Sequence, residues 1–201
     1  MLTTQNNFDH LKFAAQEWVT LTERQWRTFA GIFDVRALEA GEHLHYPGDS
    51  AHKLIFVSSG LLRFYYPAED GKESNKAFLT EGSFGGALAA ASLGLPLIYG
   101  VEALEETSLL AADLADLSTL YDEHPIFDRF GRKLAERLLT RKELRVRSML
   151  QQNAKERYLA LRQTEPALVK RVPQYHLASY LGVTEASLSR LKRDLTDTHY
   201  A

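Results

Sequence analysis

The sequence predicts an α+β chain with three parts: an N-terminal antiparallel β-roll (a double-stranded β-helix), a long dimerisation helix, and a C-terminal helix-turn-helix. Three observations predict it. Residues 39–113 break into short β-branched and aromatic runs punctuated by Gly, Pro and Asp, as in "HKLIFVSSGLLRFYYPAEDGKESNKAFL", the mark of many short strands. After Pro125, apolar residues recur at helical spacing over a long stretch to about Gln151. The closing stretch "VPQYHLASYLGVTEASLSRLKRDL", residues 172–195, is patterned as two short helices crossing at a tight turn. The boundaries expected are 1–124 for the roll, 125–151 for the linking helix and 152–201 for the helix-turn-helix.

Element by element, residues 8–38 read as helix. Phe8, Leu11, Ala15 and Trp18 follow helical spacing, and Thr22 with Gln25 forms a candidate capping box. Asp70-Gly71 between two strand-like runs is a hairpin signal. In the long helix Phe127, Phe130, Leu134, Leu138, Leu144 and Met149 suggest a seam for a second copy, interrupted by Arg141 and Arg145. A shorter helix over 153–163 stops before Glu165-Pro166, since proline disfavours helix at the residue before it.

Composition narrows the function classes. The 201-residue chain has no cysteine, which removes disulfides and Cys-held metals and fits a reducing, cytoplasmic setting. No apolar run reaches the roughly 18 residues of a membrane span, and "MLTTQNNFDHLK" has no signal-peptide pattern. The formal net charge of −2 conceals a division. Residues 1–124 carry 8 Lys and Arg against 18 Asp and Glu, whereas 125–195 carry 16 against 7. An acidic first part and a basic second part suggest that only the second meets a polyanion.

The terminal spacing is specific. Four residues after Ala178 comes Gly182, and ten after it Leu188. That places a small residue at the helix crossing, a glycine free to take φ > 0 in the turn, and an apolar residue locking the second helix. Leu177 and Leu181 supply the first inner face, and Leu188, Leu191 and Leu195 the second. Thr184 is placed to cap the second helix. The other face carries Glu185, Ser187, Ser189, Arg190 and Arg193, hydrogen-bonding groups suited to a major groove. Lys192 is expected to reach phosphate.

From about Leu38 to Leu195 the chain resembles the Crp/Fnr-type transcription regulators, relatives of the cyclic AMP receptor protein. "GEHLHYPGDSAHKLIFVSSGLLRFYY", "EGSFGGAL" and the terminal motif carry the resemblance. It implies a homodimer reading an inverted repeat in double-stranded DNA, RNA polymerase as a further partner, no cofactor and no enzymatic activity. It also implies base reading by Ser189 and Arg190 and a phosphate contact by Gln174. The frequent base-reading glutamate falls on Ala186, with Glu185 one residue early. Only "TDTHYA" follows the second helix, so the chain looks like a shorter subgroup without wing strands. The same resemblance makes 1–124 a cyclic-nucleotide-binding-like domain whose pocket would involve Phe84, Gly85, Gly86, Ala87, Leu88, Leu97, Ile98 and Tyr99. Ala87 stands where nucleotide-binding members place a glutamate, and Leu97 and Ile98 stand for an Arg-Ser pair. A buried phosphate needs cations or a cluster of donors, so the expected effector is not cyclic AMP but a mostly apolar molecule, if there is one at all.

Two other readings stay open. "GEHLHYPGDSAH" puts His43 and His45 two apart on a strand with His52 nearby, which is similar to metal-dependent cupin enzymes, although Pro47, Gly48 and Asp49 follow where cupins place a glutamate. A DNA-binding protein with a purely structural roll is the third reading.

Overall fold

The computed structural model describes residues 4–50 and 52–197. Two helices, α1 (Thr4–Gln16) and α2 (Glu23–Ala30), precede the roll. The capping box at Thr22 forms: Gln25 N donates to Thr22 Oγ1 (3.3 Å) and Thr22 N to Gln25 Oε1 (2.9 Å). The helix expected to reach residue 38 ends earlier, and Phe33–Leu38 is instead strand β1. Its pairing with a strand some 70 residues away, Phe33↔Ala112 through Leu38↔Thr107, overrides local propensity.

The roll comprises β1, β2 (His43–His45), β3 (Lys53–Ser59), β4 (Leu61–Pro67), β5 (Glu73–Thr80), β6 (Phe84–Gly86), α3 (Leu88–Leu93), β7 (Gly100–Ala103) and β8 (Thr107–Asp113). It has two antiparallel four-stranded sheets, ordered β1-β8-β3-β6 and β2-β7-β4-β5. Strands β3 and β8 read as unbroken apolar runs because both of their faces are buried. Ile55, Val57, Leu109 and Ala111 fill the space between the sheets, while Leu54, Phe56, Leu110 and Ala112 pack against helices. The β4–β5 hairpin turns at Gly71, whose φ of +79° is strained for other residues. Ala68 N–H closes the hairpin on the Lys72 carbonyl (2.8 Å).

Helices α4 (Leu114–Glu123) and α5 (Pro125–Gln151) follow, the latter started by Pro125, which lacks the N–H that a first helical turn leaves unpaired. The expected seam on α5 is corrected here. Phe127, Phe130 and Leu134 are buried against Phe29, Phe84 and Trp18 of the same chain. Leu144 and Met149 of that seam are exposed, as are Leu139, Val146 and Leu150. After α5 come α6 (Ala154–Thr164), capped by Asn153, then α7 (Pro166–Arg171), α8 (Gln174–Leu181) and α9 (Glu185–Asp197). No helix among the described residues is long and apolar enough to cross a membrane.

Candidate nucleic-acid interface

Helices α8 and α9 are locked by Leu177, Ala178, Leu181 and Leu188, all buried in one cluster with Tyr158, Leu161 and Leu168. Gly182 ends α8 in the left-handed region (φ +69°), and its N–H closes the turn by donating to the carbonyls of Ala178 and Ser179. Thr184 Oγ1 accepts from Ser187 N (3.2 Å) as the cap of α9. Packing thus turns outward Glu185, Ala186, Ser189, Arg190 and Arg193, all exposed. Their spacing of i, i+1, i+4, i+5 and i+8 makes one face.

The remaining expected contacts divide. Ser187 is half-buried, its hydroxyl 2.8 Å from that of Thr184, so both belong to the cap. Gln174 joins the two helices: its Nε2 donates to Ser189 Oγ (2.5 Å), and its Oε1 accepts from Lys192 Nζ (3.2 Å). Lys192 is therefore partly drawn inward, over the Tyr158 ring. Beside them stands Tyr175, 56% exposed at the start of α8, an aromatic group the periodicity had not singled out.

This helical unit is docked on the roll. Asn75 of β5 donates through Nδ2 to the His176 carbonyl (2.9 Å) and through its backbone N to Ser179 Oγ (2.9 Å), while Ser179 Oγ donates to the Glu73 carbonyl (3.0 Å). Arg171 bonds Glu81, Glu105 and the Gly60 carbonyl. From α5, Arg145 donates to the Tyr180 carbonyl and lies over its ring, and Arg157 of α6 donates to the Leu181 carbonyl (3.0 Å). Two guanidiniums thereby satisfy the open carbonyls at the C-terminus of α8, where a cation is favoured. The arginines that interrupt the apolar pattern of α5 are explained by this clamp: Arg141 likewise donates to the Phe78 carbonyl (3.1 Å).

Residues 35–124 match the cyclic nucleotide-binding domain family. FixK2 from Bradyrhizobium japonicum superposes with a TM-score of 0.73 at 19% identity, covering 84% of this chain and 86% of that one. A transcriptional regulator of the Crp/Fnr family from Eubacterium rectale gives 0.69 at 15% identity, covering 89% and 85%. The c-di-GMP responsive global regulator CLP from Xanthomonas campestris gives 0.62 at 19% identity, covering 86% and 91%. The chain has the Crp/Fnr fold. No curated protein sequence matches it.

Within this fold the eight candidate pocket residues separate. Ala87, Leu97 and Tyr99 are buried between the sheets with Phe64 and Leu79, and Gly85 lies so close to Leu79 that a Cβ would sit 2.9 Å from its methyl. Tyr99 donates to the Gly86 carbonyl (3.2 Å), and burial pushes its phenol up to about 12. Phe84 and Leu88 instead face the helical core. Ile98 is 70% exposed and lies outside the interior altogether. Lys76 Nζ stands 3.7 Å over the Tyr99 ring, its pKa pushed down to about 8 by burial and then by Lys142. The three histidines are parted. His43 meets Tyr65 Oη (2.9 Å), His52 meets the Leu95 carbonyl (2.9 Å), and no group of three potential ligands for a metal ion occurs among the described residues.

Proposed function

We propose that this chain is a sequence-specific DNA-binding transcription regulator, not an enzyme, acting as a homodimer in the cytoplasm on an inverted repeat. The observation that carries the reading is the exposed polar face of α9: Glu185, Ser189, Arg190 and Arg193 are held outward by a buried core, at the end of a basic segment. Such a face matches the donors and acceptors of a major groove. Dimerisation is assigned to Leu139, Val146 and Leu150 of α5, exposed at i, i+7 and i+11, a heptad-like stripe that the chain's own core leaves uncovered. Two recognition helices would then read half-sites about one helical turn, or about 10 bp, apart.

Cyclic AMP is not the effector in this reading. Where its ribose and phosphate would be held, Ala87, Leu97 and Tyr99 fill the interior, and none supplies a guanidinium. The test has two arms. Genome-wide mapping of bound DNA should return a palindromic site, and its absence would reject the regulator. Calorimetry with cyclic AMP and cyclic GMP should show no micromolar binding; binding that tightens the DNA complex would reject the account of the pocket.

A further inference from the structure

A cavity of about 190 Å³ lies where α1, the turn between β5 and β6, α5 and the junction of α6 and α7 converge. None of the residues that fill the space between the two sheets lines it. Its walls follow from periodicity. Helix α5 contributes Leu134, Arg137, Leu138 and Arg141, one face at i, i+3, i+4 and i+7. The end of α1 contributes Ala14, Glu17 and Trp18 at i, i+3 and i+4, and β5 contributes Phe78 and Thr80, which alternate to the same side of their strand. The stripe assigned to dimerisation lies about 150° around α5 from this face, so a second copy seated on that stripe does not cover the cavity.

The cavity gathers polar groups that the chain itself leaves open. Glu17, Glu165 and Arg137 form no hydrogen bond or ion pair through their side chains among the described residues. Arg137 lies over the Trp18 ring, its Cζ 5.8 Å from the centroid. Arg141 donates through Nη2 to the Phe78 carbonyl (3.1 Å), and most N–H donors of both guanidiniums remain open. The hydroxyls of Thr80 and Ser83, on half-buried residues, likewise have no partner among the described residues.

These groups specify an occupant. Two guanidiniums and two hydroxyls suit a carboxylate, which accepts paired bonds from an arginine. The carboxylates of Glu17 and Glu165 suit an ammonium group. A simple anion would be repelled by Glu17 and Glu165, and a simple cation by Arg137 and Arg141, so a molecule carrying both charges is the complement of this cavity. Trp18, Phe84, Leu134 and Leu138 offer it an apolar wall. At roughly 30 Å³ for each water molecule, the volume is that of about six waters, which limits the occupant to a single amino acid rather than a peptide.

We propose that this cavity binds a free α-amino acid with an apolar side chain. Its carboxylate is held by Arg137 and Arg141, its ammonium group by Glu17 and Glu165, and its side chain lies against Trp18 and Leu138. The site stands outside the sheets, and its occupancy does not rest on the regulator reading.

The test uses the full chain and equilibrium dialysis with labelled L-valine, L-leucine, L-methionine and L-phenylalanine, up to about 1 mM at pH 7. At least one should bind saturably and shift the indole N–H resonance of Trp18, which Trp26→Phe tells apart from the other tryptophan. The amide and the deamino acid of the same compound, each lacking one charge, should bind at least tenfold more weakly. Arg137→Gln should reduce affinity for the amino acid at least tenfold. Glu17→Gln with Glu165→Gln should do the same and abolish the preference over the deamino acid. All three positions are exposed, and circular dichroism checks the fold of each variant. No saturable binding of any of the four overturns the site. The amide or the deamino acid binding as tightly as the amino acid overturns the ligand class, and unchanged affinity in both variants overturns the placement. Amino-acid binding by a chain that selects no DNA site from random sequence leaves the cavity standing and rejects the regulator reading.

Discussion

Replacing Arg171 with methionine should loosen the helical unit from the roll, and its contacts set the size of the effect. Nη1 and Nη2 engage Glu81 as a two-pronged pair (2.9 and 2.8 Å), Nη2 and Nε engage Glu105 (2.5 and 3.3 Å), and Nη2 also donates to the Gly60 carbonyl (3.0 Å). The bonds to Glu81, then those to Glu105, raise the pKa of this guanidinium above its ordinary value. Glu81 and Glu105 are 43% and 39% exposed, so water would take over much of their solvation once Arg171 is gone. At roughly 0.2–1 kcal/mol for each such pair, and allowing for the lost carbonyl bond, Arg171→Met should cost about 1–2 kcal/mol. For a chain of this size that lowers the thermal midpoint by roughly 2–8 °C. Thermal denaturation followed by circular dichroism would measure it, and the deficit should shrink in about 1 M salt, where screening acts over roughly 3 Å. Double-mutant cycles with Glu81→Gln and Glu105→Gln should each return a coupling of about 0.5–1 kcal/mol. Couplings near zero for both would refute the idea that these charges hold the unit in place.

Three further outcomes are expected. His176 is buried, and burial, then Arg63, pushes its pKa down to about 4. The unfolded chain therefore takes up a proton below about pH 6.5 that the native chain refuses until about pH 4, so stability is complete above that window and falls with pH through it, by about 2–3 kcal/mol at pH 4.5. Urea midpoints at pH 7 and 4.5 should show the loss, and His176→Gln should remove that share of it; an unchanged pH slope in the variant would contradict the assignment. Arg190→Ala should cost about 1–3 kcal/mol on the selected DNA site and relax one base position, whereas Lys192→Ala should weaken selected and random DNA alike; anisotropy titrations on both DNAs decide it. Leu139→Glu with Leu150→Glu should give monomers by sedimentation at micromolar concentration while Leu144→Glu, about 140° around α5 from that stripe, leaves the dimer intact, and the reverse pattern would move the interface.

Much of the architecture is legible along the chain. The strands announce themselves because apolar runs are cut by Gly, Pro and Asp, and the capping boxes at Thr22 and Asn153 form from residues three apart. The helix-turn-helix is legible for the same reason: Ala178, Gly182 and Leu188 meet within one short hairpin, so their spacing alone carries the geometry. The exposed face of α9 then follows by elimination, since whatever the helix does not bury it must expose. Tertiary structure decided what depends on elements distant in sequence. Periodicity shows that α5 has apolar residues, but only the arrival of Phe29, Trp18 and Phe84 uses up Phe127, Phe130 and Leu134 and leaves Leu139, Val146 and Leu150 outside. Residues 33–38 became a strand because β8 lay open beside them. Leu97 went inward and Ile98 outward because neighbouring residues in an extended segment point to opposite sides, and only the position of the sheets says which side is the interior. Asn75 and Arg171 are single polar residues without a local pattern. Their roles come from partners scattered over the chain, whose meeting is a property of the packed molecule.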